Sequence, residues 1–141
     1  MIPESGSRAR WLRVAVAIGI LYLVIGLVTG TLSSNATSSR MRQAWRLAAW
    51  AISAAVFAAQ VAYERLRLRN SEVSASLHAA LAAAIGALGL AVAATIHKSV
   101  DSGLDSRYLL ALVAWPAITS IPAFVVALVL SAVVRPRPHS A

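Results

Sequence analysis

The chain has 141 residues and a formal net charge of +8, with 59% hydrophobic residues, 13% charged residues and no cysteine. A mean hydropathy of +0.72 is too high for a soluble domain of this size. The composition excludes disulfides, thiol redox chemistry and cysteine-ligated metals, and the basic residues flank apolar stretches as in membrane proteins, which argues against nucleic acid as a partner.

Four long stretches carry no charged residue, and each is near or above the roughly 20 residues that cross a hydrocarbon core. They predict one all-α domain over residues 1–141, an integral membrane bundle of four helices joined by short connections in up-down-up-down order. The predicted spans cover residues 14–32, 47–63, 73–96 and 109–134.

The first span is long enough for a retained transmembrane helix, which favours that interpretation over a cleaved secretory signal. Gly26 and Gly30 form a GxxxG pair on one helix face. Such pairs allow another backbone to approach closely, so we predict a packing role within the bundle or against another chain.

The second span has alanines at three- and four-residue spacing, which predicts a thin face suited to close packing. Gln60 lies about one turn inside the end of this span, where its amide needs a partner. We expect an interhelical hydrogen bond, with contact to a transported solute as the alternative.

Charged residues follow the second span. We expect Glu64 to form a surface ion pair with Arg67 or Arg65. Arg65, Arg67 and Arg69 lie where anionic lipid head groups attract cations, so we predict that they contact the lipid surface.

The third span has a stripe of small residues at spacings of four, three and four. This pattern predicts that the helix is central or lies against a tight neighbour. The stripe consists of Ala82, Gly86, Gly89 and Ala93.

His78 and His97 lie near opposite ends of the third span. At about 1.5 Å of rise per residue they are about 28 Å apart, so they cannot bind one metal ion, and no metal site is predicted. One interpretation places both at the interface, bonded to water or head groups. In the other interpretation, His78 or His97 is the single axial ligand of a haem or chlorophyll-type pigment. Ala93 leaves space for such a pigment beside His97.

The fourth span contains Pro116 and Pro122, which predict a kinked helix because proline lacks an N–H and frees a carbonyl one turn back. We expect Thr119 and Ser120 to bond the released carbonyls. Together with Gln60, these residues are the candidate lining of a solute path.

The basic residues also predict orientation. If both termini are cytoplasmic, that side carries eight basic residues and the other side five, which is the distribution that the positive-inside rule favours. Frequent arginine and alanine, with little lysine, suggest a GC-rich bacterial genome, and hence the bacterial cytoplasmic membrane.

No catalytic motif or membrane-embedded carboxylate occurs in the four spans, so we predict that the protein is not an enzyme. The favoured function is an accessory or scaffolding subunit of a larger membrane complex, energy-transducing or pigment-bearing. The alternatives are a homo-oligomeric channel or carrier for a small solute, and pigment binding through one histidine. The expected partners are the lipid bilayer and other membrane proteins or copies of the chain.

Overall fold

A computed structural model describes the backbone of residues 4–102 and 106–134 and the side chains of residues 11–97 and 110–134. The described chain is all-α, as predicted. Its helices are α1 (Glu4–Ser34), α2 (Ser39–Leu66), α3 (Glu72–Ser102) and α4 (Ser106–Val133).

Each helix contains a segment long and apolar enough to cross a membrane, and these segments match the four predicted spans. They are Trp11–Ser34, Ser39–Leu66, Glu72–His97 and Leu110–Val133. α2 begins well before the apolar run, because the hydroxyl of Ser38 accepts a hydrogen bond from the Met41 N–H at 3.2 Å and caps the helix.

The turn between α2 and α3 is tight. The N–H of Arg67 still bonds the Tyr63 carbonyl at 2.9 Å, and the chain then reverses through Arg69, whose φ of 52° lies in the left-handed region. The hydroxyl of Ser71 accepts the Ser74 N–H at 3.2 Å and caps α3. The end of α2 and the start of α3 are therefore held side by side.

α3 organises the packing, since it lies against both α4 and α1 over long stretches. α2 packs mainly on α1, and within the described residues the backbones of α1 and α4 do not approach each other. The sequence predicts that consecutive helices pack against each other. This holds well for α1 with α2 and for α3 with α4, but α2 and α3 make less contact. The small residues of α3 explain the difference, because they admit α1.

The approach of α1 to α3 is closest around Gly86. A Cβ atom built there would lie 2.6 Å from the Cβ of Tyr22 and 3.2 Å from the carbonyl oxygen of Gly19. Ala82, one turn earlier, is fully buried. A larger side chain at Gly86 would therefore push the helices apart.

The remaining predicted packing residues have different surroundings. Gly89 lies against Leu23, and Gly26 lies against Leu90. Ala93 is partly buried. A Cβ on Gly30, in contrast, meets nothing within 4 Å in the described structure. Gly26 and Gly30 therefore do not act as a pair within the chain, and a role for Gly30 against another chain stays a prediction.

α4 remains helical through Pro116 and Pro122. Because proline has no N–H, the carbonyls of Leu112 and Ile118 lose the partner that a regular helix supplies. A serine or threonine hydroxyl in a helix reaches the carbonyl three or four residues before it. Neither released carbonyl is at that spacing from Thr119 or Ser120.

The hydroxyl of Thr119 donates to the Trp115 carbonyl at 2.7 Å, and that of Ser120 donates to the Ala117 carbonyl at 3.3 Å. The expectation that these hydroxyls replace the bonds lost at the prolines is therefore wrong. The side chains of Thr119 and Ser120 are too short to reach any carbonyl other than those three or four residues earlier in the helix.

The interior is made mostly of small residues, whereas many large apolar side chains point outward. One buried cluster joins three helices through Val61, Ala79 and Ala127. Val61 and Ala127 belong to the same cluster, and α2 therefore lies beside the second half of α4.

Candidate functional site

Three of the buried positions of α2 near the α2–α3 turn are polar. Gln60, Glu64 and Arg65 are 3%, 2% and 8% exposed. Glutamate and arginine are almost never this deeply buried unless they are paired. The partners of these side chains therefore define the candidate site.

The carboxylate of Glu64 contacts two residues beyond the end of its own helix. Its Oε2 lies 2.6 Å from Nδ1 of His78 and accepts a hydrogen bond from Nδ2 of Asn70 at 2.9 Å. The expected surface pairs of Glu64 with Arg67 or Arg65 are therefore wrong. The tight turn brings α3 alongside α2 and supplies interior partners in place of surface ones.

The imidazole of His78 also stacks on the indole of Trp11, with ring centroids 4.5 Å apart and an angle of 7° between the planes. Its side chain is only 15% exposed. His78 thus lies in an internal contact of α1, α2 and α3, which corrects the interpretation that it faces water or lipid head groups.

Arg65 points to the other side of the turn. Its Nη1 donates to the Asn70 carbonyl at 2.8 Å, and its Nη2 lies 3.3 Å from Oε1 of Glu72. Its Nε donates to the Ser131 carbonyl of α4 at 3.1 Å. The prediction that Arg65 contacts lipid head groups is therefore wrong, because all three of its nitrogens are engaged inside the protein.

Arg67 and Arg69 are exposed, and their contact with head groups stays a prediction. Asn70 joins the two pairs, since its amide donates to Glu64 and its carbonyl accepts from Arg65. The two pairs and Asn70 link α2 to α3, α4 and the turn, and the Trp11 stack adds α1.

Gln60 lies one turn before Glu64 on the same face of α2. Within the part of the chain whose side chains are described, neither amide atom of Gln60 makes a hydrogen bond. The expected interhelical hydrogen bond is therefore not formed. The buried hydroxyls of Ser131 and Tyr22 are likewise without a partner among the described residues.

The candidate lining residues of a solute path are not gathered on one face of the chain, and a path between copies of the chain stays a prediction. Val61, beside the buried Gln60, belongs to the cluster that contains Ala127, whereas Thr119 is exposed and lies about 12 Å from Ala127 along α4 at the usual helical rise. Ser120 and Pro116 are partly buried, and Pro122 is exposed. The structure thus leaves these residues on different surfaces and at different depths.

Comparison of the chain with protein-family models, with curated proteins and with solved structures gives no match. The interpretation of the site therefore depends on its own chemistry. Among residues 11–97 and 110–134, no group of three or more histidine, aspartate or glutamate side chains is placed to hold a metal ion. His97 is exposed, and its role as a pigment ligand stays a prediction.

Sequence reasoning missed Asn70, Glu72 and Ser131 because it considered partners of Glu64 only along one helix. A usable signal was present. Glu64 and His78 are each seven positions from Ser71, the last residue of the connection between α2 and α3. In an antiparallel helix pair, residues at equal distances from the turn lie at the same level, so this spacing favours contact.

A buried carboxylate bonded to an imidazole can hold a proton and exchange it, because histidine changes charge near neutral pH. The stacked indole covers one face of the ring and fixes its plane. The arrangement therefore combines an acid–base pair with a structural link between helix ends.

Proposed function

We propose that this protein is an accessory, non-catalytic subunit of a membrane complex, and that α2 binds a transmembrane helix of another protein. The observation that carries the proposal is the exposure of Ala51, Ala55, Ala58 and Ala59. These residues recur at three- and four-residue spacing on the face of α2 opposite Gln60 and Glu64.

The contrast with α3 supports this assignment. The small residues of α3 lie against α1 within the chain, whereas the alanines of α2 are left outside. Lipid tails are as apolar as these side chains, so helix association in a membrane depends on close packing of this kind. A face of alanines lets a partner helix approach closely.

The outward apolar side chains support insertion in a bilayer. Trp50 is 78% exposed and Val113 is 73% exposed, and surfaces with many such residues are rare on soluble monomers. We propose that the four helices cross the membrane in alternating directions, with a kinked α4. The distribution of basic residues supports cytoplasmic termini, and the composition supports a bacterial cytoplasmic membrane.

Native electrophoresis of gently solubilised membranes tests the proposed function. The wild-type chain is expected to migrate in a complex larger than itself, and Ala55→Leu to release it by filling the thin face. Ala94→Leu, at an exposed alanine of α3, is the matched control and should leave the complex intact.

A monomeric wild-type chain, or an unchanged complex in Ala55→Leu, would contradict the proposal. A second copy as the partner is a separate outcome and would replace the accessory role with self-association. Because the chain has no cysteine, Ala55→Cys provides a single cross-linking position. A cross-linked dimer of the purified variant would identify that case.

A further inference from the structure

Four of the ionised or ionisable groups at the α2–α3 turn form two separate pairs, and the other two, Arg67 and Arg69, are exposed. Arg65 is bound to Glu72 and to two carbonyl oxygens. Glu64, on the inner side, has His78 as its ionisable partner. Arg65 thus forms its ion pair with Glu72 and not with Glu64. His78 is therefore the group that can neutralise the charge of Glu64.

The short contact between the two residues constrains their protons. A separation of 2.6 Å between Oε2 of Glu64 and Nδ1 of His78 is a hydrogen bond, so a proton lies between the two atoms. When that proton belongs to a neutral imidazole, the other ring nitrogen, Nε2, is free to accept one more. Uptake of that proton changes the pair from net negative to neutral.

We propose that Glu64 and His78, with Trp11 stacked on the imidazole, form a proton-binding site at the turn end of the helices. The charge balance favours occupation. Without the proton, the four groups comprise two carboxylates and one guanidinium, which leaves a negative charge at a buried position. With the proton, the four groups carry two positive and two negative charges.

The other charged side chains described near the pair, Arg13, Arg67 and Arg69, are exposed and therefore screened by solvent. α1 contributes the indole of Trp11, and its Arg13 is exposed. α2 contributes Arg65, α3 contributes Glu72, and α4 contributes the Ser131 carbonyl. The side chain of His78 is 15% exposed, which leaves it accessible to protons from solvent.

Trp11 provides a direct optical measurement, because an imidazolium stacked on an indole quenches its fluorescence. The protein has four tryptophans. In a variant with Trp45→Phe, Trp50→Phe and Trp115→Phe, the emission comes from Trp11 alone. We expect its intensity in detergent micelles to be lower at acidic than at alkaline pH, because the added proton places a positive charge against the indole.

Three further substitutions in this background distinguish the site from general pH effects. His78→Gln should abolish the transition while its amide can still bond Glu64. Glu64→Gln removes the negative charge that attracts the added proton, so the midpoint of the transition should move to lower pH. His97→Gln, at the exposed histidine, is the matched control and should leave the transition unchanged.

Emission that stays constant between pH 4 and 9, or a transition that survives His78→Gln, would overturn the proposal. Circular dichroism on each variant verifies that the helices are retained. If the His78→Gln variant loses its helices, the folded Glu64→Gln variant decides. A pH midpoint of Trp11 emission that is the same as without this substitution would then overturn the proposal. The proton site and the alanine face lie on opposite sides of α2, so the native-complex experiment and this titration can fail independently.

Discussion

Oε2 of Glu64 lies 2.6 Å from Nδ1 of His78, although the two residues belong to different helices on either side of a tight turn. The same turn places the carbonyl of Asn70 2.8 Å from Nη1 of Arg65. Two neighbouring residues of α2 thus hold the ends of the other helices together. Their substitution is expected to have larger effects than substitution of the exposed arginines nearby.

Arg65→Leu is expected to lower the free energy of unfolding by roughly 2 kcal/mol, because it removes charge-assisted bonds to Glu72 and to two carbonyls. Arg67→Leu, at an exposed position of the same segment, should change it little. Denaturant-induced unfolding in mixed micelles measures both. Equal effects of the two variants would contradict the assigned role of Arg65.

Gln60→Leu is expected to raise the free energy of unfolding by about 1 kcal/mol, since it replaces a buried amide that has no partner among the described residues with an apolar group of similar size. The exposed Gln43 gives a matched control, and Gln43→Leu should have no comparable effect. Thermal unfolding in detergent compares them. A destabilised Gln60→Leu would mean that the amide is satisfied in the native protein.

Gly86→Ala is expected to destabilise the protein by about 1–3 kcal/mol, because the new Cβ would lie 2.6 Å from the Cβ of Tyr22 and force α1 and α3 apart. Gly30→Ala makes the same chemical change where a Cβ meets no atom within 4 Å, and it should be neutral or slightly stabilising. The difference between the two melting temperatures is the measurement. No difference would show that α1 and α3 are not closely packed.

The proposed alternating membrane crossings would place the α1–α2 and α2–α3 turns on opposite sides of the bilayer. Because the chain contains no cysteine, Thr37→Cys and Arg67→Cys each introduce one thiol at an exposed position in these turns. A membrane-impermeant maleimide added to intact cells should label Thr37→Cys and should label Arg67→Cys only after lysis. Labelling of both in intact cells would contradict the topology, and the reverse pattern would invert the orientation.

The sequence alone determined that the chain has four helices with an apolar segment in each. Mean hydropathy and span length are properties of a continuous segment, so they do not depend on which way a helix is turned about its axis. The four predicted spans therefore correspond to the four helices found. The tight turn after Arg69 and the α3 cap at Ser71 also follow from residues close in sequence.

Tertiary structure decided which face of each helix points inward. The alanines of α2 and the small residues of α3 have similar spacing, yet those of α3 lie against α1 and those of α2 are exposed. Glu64 likewise has charged neighbours along its own helix but contacts His78 on the next. Helix rotation and register depend on the packing of all the helices together, so residue spacing within one helix cannot specify them.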